Sequence, residues 1–255
     1  MKPAHGSPVR AESPVGEPAG TLRSCPVSTR ELERRQTFES VQVIGAGRAG
    51  SAIAARLRER GIALLDEDAE LVLICVPDAS IAAVAGTLDS GPWVAHVSGA
   101  TPLSALAPHE LRFGVHPLQT LTRSRGPEQL DGAWAAVTAE TAEARERGLW
   151  LARTLGLRPF DLDDAERVLY HAGAAFASGY LVTLHRVASE LVETAGAPAE
   201  ALLPLIRRTI ENGFELTGPI ARGDWETVER HREAIRESRP EYARLYDALA
   251  EATAP

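Results

Sequence analysis

The chain has 255 residues, 44% of them hydrophobic and 24% charged, which is ordinary for a soluble globular protein and enough for two modest domains. Its 27 basic and 35 acidic residues leave a net charge of -8, which disfavours nucleic acid or a membrane as the main partner because both need a basic protein surface. No apolar run approaches the ~18 residues of a membrane span. Two cysteines cannot build a disulfide framework, so we expect reduced thiols in a cytoplasmic protein. The partner that we expect is a small molecule.

Residues 1–37 are rich in Pro, Gly, Ser and charged residues and show no periodicity. We interpret them as a disordered extension, or as the product of a start codon assigned too early. From Ser40 to residue 162, short apolar runs alternate with helical patterns, which predicts a doubly wound parallel sheet. The predicted strands are Val41–Ile44, Leu71–Val76, Trp93–Val97, Arg112–Val115, Ala133–Thr138 and Leu157–Leu162, and the predicted helices between them are Ala49–Arg60, Ile81–Leu88 and Ala142–Leu155.

Only helical patterns follow from Asp164 to the end of the chain. We predict one long helix over about Ala165–Thr194 and a domain boundary near Asp161–Asp164. Further predicted helices are Ala199–Phe214, Trp225–Glu237 and Pro240–Ala252. The expected fold is therefore α/β: a Rossmann-type sheet domain over residues 38–162, followed by an all-α domain over residues 163–255.

A glycine-rich turn, Gly45-Ala46-Gly47-Arg48-Ala49-Gly50, joins the first predicted strand to the first helix. In such a G-x-G-x-x-G motif the first glycine allows a tight turn, the second lets the backbone approach a pyrophosphate, and the third lets the helix pack closely on the strand. A glycine turn used only for packing is the alternative. We assign residues 45–50 to binding of NADP or NAD, together with Val76, Pro77 and Asp78 at the end of the next strand.

The segment after Gly61 is irregular for such a site. Asp66 lies 21 residues after Gly45, where an acidic residue usually binds the adenosine ribose, yet the next strand pattern begins near Glu70. Since a parallel crossover needs about a dozen residues, Ile62–Leu65 and the next strand cannot be neighbours. Either the second strand and its helix are missing, or this segment lies outside the sheet. We therefore interpret Asp66 as a loop carboxylate and expect weak cofactor affinity with little preference between NADPH and NADH.

Six motifs between about residues 40 and 250 are distinctive when taken together. They are Val-Ile-Gly-Ala-Gly-Arg-Ala-Gly at 43–50, Leu-Ile-Cys-Val-Pro-Asp at 73–78, His-Val-Ser-Gly-Ala at 96–100, His-Pro-Leu-Gln-Thr at 116–120, Tyr-His-Ala-Gly-Ala-Ala-Phe-Ala-Ser at 170–178 and Leu-Thr-Gly-Pro-Ile-Ala-Arg-Gly-Asp at 216–224. Together they resemble the Rossmann-like family that ends in a DUF2520 domain, which is similar to ketopantoate reductases, pyrroline-carboxylate reductases and 6-phosphogluconate dehydrogenases. The resemblance implies an NADP-linked oxidoreductase, commonly a dimer through the helical domain, with ketopantoate as the most specific substrate suggestion.

The sequence departs from this family in the short segment after Gly61 and at Gly179, where the family usually has an asparagine. In the reductases that the family resembles, an asparagine on this helix helps to hold the substrate. Both departures favour a second hypothesis, that the protein is a non-catalytic nucleotide-binding or regulatory module that kept the fold.

Reduction of a ketone by hydride needs a group that polarises or protonates the developing alkoxide. Related reductases often use a lysine early in the long helix, and the matching stretch here offers His171, with Ser178 seven residues later on the same face. His116 and Ser98 each follow a predicted strand, at the sheet edge where α/β proteins bind ligands. We therefore name His171, His116 and Ser98 as catalytic candidates.

The substrate-binding candidates come from three parts of the chain. Gln119 follows the same strand as His116, and Ser178 lies on the long helix. Thr217, Arg222 and Asp224 belong to a turn rich in Gly and Pro before a helix. Arg222 is suited to a substrate carboxylate, whereas Asp224 has the alternative role of a helix N-cap. No His or Cys cluster has the spacing of a metal site, so no metal is expected.

Overall fold

The computed structural model describes residues 37–254, so the predicted extension over residues 1–37 lies outside the described residues apart from Thr37. Its centre is a seven-stranded sheet in the order β2-β1-β3-β4-β5-β6-β7, followed in the chain by a helical region. The Rossmann-like expectation is therefore confirmed. The strands are β1 Ser40–Ile44, β2 Ala63–Leu64, β3 Leu71–Ile74, β4 Trp93–His96, β5 Arg112–Leu118, β6 Trp134–Ala139 and β7 Arg158–Asp161.

Helices cover both faces of the sheet, and every residue of β3 and β4 is buried, all of them apolar except His96. On one face α1 and α3 enclose a core that includes Ile53, Leu57 and Leu151. On the other face α2 packs with Leu103 and Leu106 against the sheet. The helices are α1 Arg48–Glu59, α2 Ile81–Ala85, α3 Ala142–Thr154, α4 Arg167–Ala175, α5 Leu181–Thr194, α6 Leu202–Glu211, α7 Trp225–Ser238 and α8 Ala243–Thr253.

The second strand exists, contrary to both alternatives that the sequence left open. β2 is only two residues long and pairs in parallel with the start of β1, while β3 pairs with the opposite side of β1. Leu64 and Leu71 both pair with Val41, on opposite sides of β1. A short loop is therefore enough to connect the end of β2 to the start of β3. The third strand of the usual Rossmann order and its crossover helices are thus the missing part, and Asp66 is exposed in the short loop.

The sheet is not parallel throughout, because β6 runs antiparallel to β5. The connection between them holds a single short turn of 3-10 helix at Pro127–Leu130 and no crossover helix, so the chain simply reverses. The reversal also lengthens β5: the strand leaves β4 at Gly114 but continues along β6 to Leu118. His116 therefore lies within β5, and does not follow it as the predicted end at Val115 implied.

The long helix predicted over about 165–194 is present as α4 and α5, joined through a π-helical turn at Phe176–Tyr180. A π turn inside an α-helix is a rare local irregularity that is found mostly at functional sites. β7 ends at Asp161, and a short 3-10 turn at Asp164–Glu166 leads into the long helix. The division of the chain into two domains near residues 161–164 stays a prediction. None of the described helices is long and apolar enough to cross a membrane.

Gly50 provides a test of how α1 packs on the sheet. A Cβ at this position would collide with the carbonyl oxygen of Gly45 and lie 3.1 Å from Cβ of Cys75. We expect Gly50→Ala to lower the free energy of unfolding by about 1–3 kcal/mol, the usual cost of overpacking. Gly47→Ala is the matched control, because no atom lies within 4 Å of its Cβ position. Equal urea-unfolding midpoints for the two variants would contradict the proposed packing.

Candidate functional site

The glycine turn has the geometry of a phosphate site. Gly45 has φ +114°, and a Cβ there would lie 2.6 Å from the carbonyl oxygen of Cys75, so both the turn and the neighbouring strand require glycine. Gly47 differs, because its backbone is extended and its Cβ position meets no atom within 4 Å. The fold therefore does not require a glycine at position 47. Close approach of a ligand to the backbone would require one, because a side chain there would occupy the space of the ligand.

The start of α1 is electrostatically suited to an anion. Gly47 precedes the helix without any side chain that caps its free N–H groups, and the first turn contains no acidic residue. Exposed N–H groups and the helix dipole favour a phosphate at such a position. The predicted residues Val76, Pro77 and Asp78 follow β3 at the same edge of the sheet. The residues present therefore fit a dinucleotide pyrophosphate.

A second group of predicted residues meets around Gly99. A Cβ on Gly99 would lie 3.0 Å from Nε2 of His116 and would collide with the ring of His171, and the two histidine rings are 5.6 Å apart. Ser98 precedes this glycine, but its hydroxyl accepts the N–H groups of Ala100 and Thr101 at 3.2 and 2.9 Å. The structure thus brings the three catalytic candidates together, with the Ser98 side chain shaping the turn.

Arg167 holds this cluster in place, and sequence reasoning missed it. Its side chain is 1% exposed, and its guanidinium donates to Thr138 Oγ1 at 2.7 Å and to the carbonyl oxygen of Ser98. The nearest carboxylate oxygen, on Asp164, is 3.9 Å from Nε. Burial lowers the pKa of Arg167 from its ordinary value. A single arginine at the start of an apolar helix was the available signal in the sequence.

Tyr170 is a second residue that the sequence analysis missed. Its hydroxyl lies 2.8 Å from Nδ1 of His116, and burial raises its pKa to about 12. Burial, then the charges of His171 and Arg167, lower the pKa of His116 to about 4. Burial and the Arg167 charge lower the pKa of His96, behind the cluster, to about 3. His96, His116 and Tyr170 are therefore uncharged at neutral pH.

A cavity of about 680 Å³ opens between the end of β5 and the long helix. Five of the residues that line it stood out in the sequence, four as site candidates and Gly179 as a departure from the family. At Gly179 a Cβ would meet no atom within 4 Å, so packing does not require a glycine at this position. The cavity is lined by His116, Leu118, Gln119, Thr120, Tyr170, His171, Gly173, Ala174, Ala175, Ala177, Ser178 and Gly179.

Two of these polar side chains make local hydrogen bonds. Gln119 accepts from the N–H of Thr120 at 2.9 Å, and Ser178 donates to the carbonyl oxygen of Ala174, also at 2.9 Å. Both bonds are within one turn or loop, so the outer atoms of the side chains remain at the cavity wall. Among residues 37–254, no three His, Cys, Asp or Glu side chains are grouped as they would be around a metal ion.

Thr217, Arg222 and Asp224 are not among the residues that line this cavity. They lie in the turn before α7, where Asp224 accepts the N–H of Thr227 at 3.1 Å and caps the helix. Hydrogen bonds from Thr227 lower the pKa of the Asp224 carboxyl group. The N-cap alternative for Asp224 therefore describes its observed contacts, and Arg222 is exposed on the surface.

Residues 133–253 match the model of a family described as a domain of unknown function, DUF2520. The matched region begins at β6, so it includes β6, α3 and β7 of the sheet as well as the helices. No match was found among curated proteins.

Solved structures share the fold of the whole described chain. BF3122 from Bacteroides fragilis, assigned as an NADP oxidoreductase, is 21% identical with a TM-score of 0.71, covering 84% of this chain and 97% of its own. Protein TM1727 from Thermotoga maritima is 22% identical with a TM-score of 0.65, covering 84% and 96%. The 1-pyrroline-5-carboxylate reductase of Streptococcus pyogenes is 15% identical with a TM-score of 0.55, covering 84% and 97%. At these identities the similarity establishes the fold.

The open space at Gly47 makes the cofactor site testable without damage to the fold. We expect Gly47→Val to unfold at the same temperature as the wild type, since an extended backbone accepts valine. The valine side chain would occupy the space of the pyrophosphate. We therefore expect a fluorescence titration with NADPH to show no binding to this variant. Retained affinity in a folded variant would show that the turn serves packing alone.

Proposed function

We propose that the protein is an NADP-dependent reductase of a small 2-keto acid. The observation that carries the proposal is the position of two sites at one edge of the sheet: the glycine turn before α1, and the cavity between His116 and His171. Open α/β sheets bind their ligands at this edge. The named functions of the structural relatives, an NADP oxidoreductase and a pyrroline-carboxylate reductase, support the same class of reaction.

A nicotinamide held at this edge would supply the hydride that reduction of the substrate carbonyl carbon needs. Ser98 and Gly99 would line the nicotinamide side of the site, and His171 would give a proton to the carbonyl oxygen, so that hydride and proton together convert a 2-keto acid into a 2-hydroxy acid. His116 stays uncharged and hydrogen bonds to the same oxygen. Gln119 and Ser178 contact the rest of the substrate. Ketopantoate is the first substrate to test, because of the family resemblance.

A homodimer through the helical region belongs to the proposal. Apolar side chains project from α4 to α6 into solvent, although a soluble protein rarely exposes such a continuous apolar surface without a partner. We propose that the partner is a second copy of this chain. Thr217, Arg222 and Asp224 lie outside the cavity of their own chain, so in the dimer they would reach the substrate carboxylate bound in the cavity of the other copy. The exposed apolar residues include Val168, Leu169, Phe176, Val182, Leu205 and Phe214.

Activity tests the proposal against the non-catalytic alternative, which the two-residue β2 favours. We expect oxidation of NADPH with a keto acid from a panel led by ketopantoate. His171→Ala should lower kcat by ~100-fold to 10,000-fold, the range for loss of a general acid, with NADPH binding retained. Arg222→Ala should mainly raise KM for the keto acid.

The matched control is His231→Ala, because this histidine lies on α7 outside the cavity and contacts Tyr246. It should leave kcat and KM unchanged. Wild-type protein that binds NADPH but reduces no keto or imino acid would favour the non-catalytic module. Full activity in His171→Ala would exclude His171 as the acid.

The oligomeric state is tested by charges placed on the exposed apolar face. Leu169 and Val182 are 74% and 71% exposed, so Leu169→Glu with Val182→Glu should cost the fold little while opposing burial of this face. We expect light scattering to show a dimer for the wild type and a monomer for the double variant. Leu111→Glu, an exposed position outside the helical region, is the control. A monomeric wild type would refute the dimer.

A further inference from the structure

Tyr170 and His116 form a pair whose hydrogen bond has only one favourable direction. Phenol oxygen is a poor acceptor because its lone pair is shared with the ring, whereas the unprotonated nitrogen of a neutral imidazole is a good acceptor. The Tyr170 hydroxyl lies 2.8 Å from Nδ1, and the two rings meet edge to face with centroids 5.5 Å apart. The hydroxyl therefore donates and Nδ1 accepts.

Within the described residues, Nδ1 of His116 is the acceptor that this hydroxyl meets. Phe160 packs against the Tyr170 ring at 5.9 Å, and among the described residues the hydroxyl has no second hydrogen-bond partner. A neutral imidazole carries one proton, so a ring that accepts at Nδ1 carries its proton on Nε2. The Nε2 atom lies 3.0 Å from the Cβ position of Gly99, and His116 is one of the residues that line the cavity.

We infer that Tyr170 is a positioning residue, which holds His116 as the tautomer with an Nε2–H donor. A ligand group that meets this nitrogen must then be a hydrogen-bond acceptor. A carbonyl oxygen meets this condition, whereas the N–H of a protonated imine does not. Where the proposed function holds, this step selects keto acids over iminium substrates, although the tautomer itself does not depend on any activity.

The tautomer can be read from the full-length protein without cofactor or substrate. Two-dimensional ¹⁵N NMR at neutral pH distinguishes protonated from unprotonated ring nitrogens, and His116→Gln identifies the resonances of His116. We expect a protonated Nε2 and an unprotonated Nδ1. A protonated Nδ1 in the wild type would overturn the inference, and because this measurement needs no variant of Tyr170, it holds even where such a variant fails to fold.

Tyr170→Phe removes the hydroxyl and keeps the ring. In this variant we expect a mixture of His116 tautomers, unchanged NADPH affinity and a kcat lowered about 10-fold, less than the ~100-fold or larger loss that follows deletion of a transition-state donor. An unchanged His116 spectrum in folded Tyr170→Phe would overturn the role of Tyr170. A changed spectrum with unchanged kcat would overturn its catalytic consequence.

The chain itself contains a matched control pair. Tyr246 lies 2.9 Å from Nδ1 of His231 in the same edge-to-face arrangement, but between α7 and α8 and away from the cavity. Tyr246→Phe should alter the resonances of His231 and leave both His116 and kcat unchanged. If the wild type reduces no keto or imino acid, the proposed function fails while the NMR result stands.

Discussion

The candidate site depends on one buried cation that ties the long helix to the sheet. Arg167 reaches back from the first turn of α4 to the end of β4 and to Thr138 on β6. Tyr170 and His171 follow it by three and four residues, so they lie on the same face of the helix and point toward the same strand ends. Without Arg167, the buried oxygen atoms of Thr138 and Ser98 would lose their hydrogen-bond donor. The helix would also lose the contact that sets its distance from Gly99.

The same cation contributes to the charge state of the site. Burial is the largest reason why His96 and His116 have lowered pKa values, and the positive charge of Arg167 adds to it at both rings. A neutral imidazole held by Tyr170 is a directed donor, while His171 also lines the cavity. The cavity therefore combines a fixed hydrogen-bond donor with a second histidine, an arrangement that suits stabilisation of a carbonyl oxygen as it gains negative charge.

The two halves of the site differ in how complete they are. The pyrophosphate half has its turn, its free helix N-terminus and an open position at Gly47. The adenosine half has a strand of two residues and an exposed Asp66, in place of the longer strand and crossover helices of the usual order. Contacts to the adenosine end of the cofactor must therefore contribute little to the binding free energy. The contacts to the pyrophosphate then contribute a larger part of it.

The sequence by itself determined the features that rest on local spacing. The glycine motif, the alternation of apolar runs with helices and the long helix follow from periodicity, because burial on one or two faces repeats with the geometry of the element. Only the tertiary structure decided what depends on distant partners. The β5–β6 pairing joins residues 16 to 26 positions apart, and the β1–β2 pairing joins residues 23 positions apart. The hydrogen bonds from Arg167 to Thr138 and from Tyr170 to His116 join residues 29 and 54 positions apart. No local pattern encodes which strand lies beside another, since that choice is made by packing of the whole sheet.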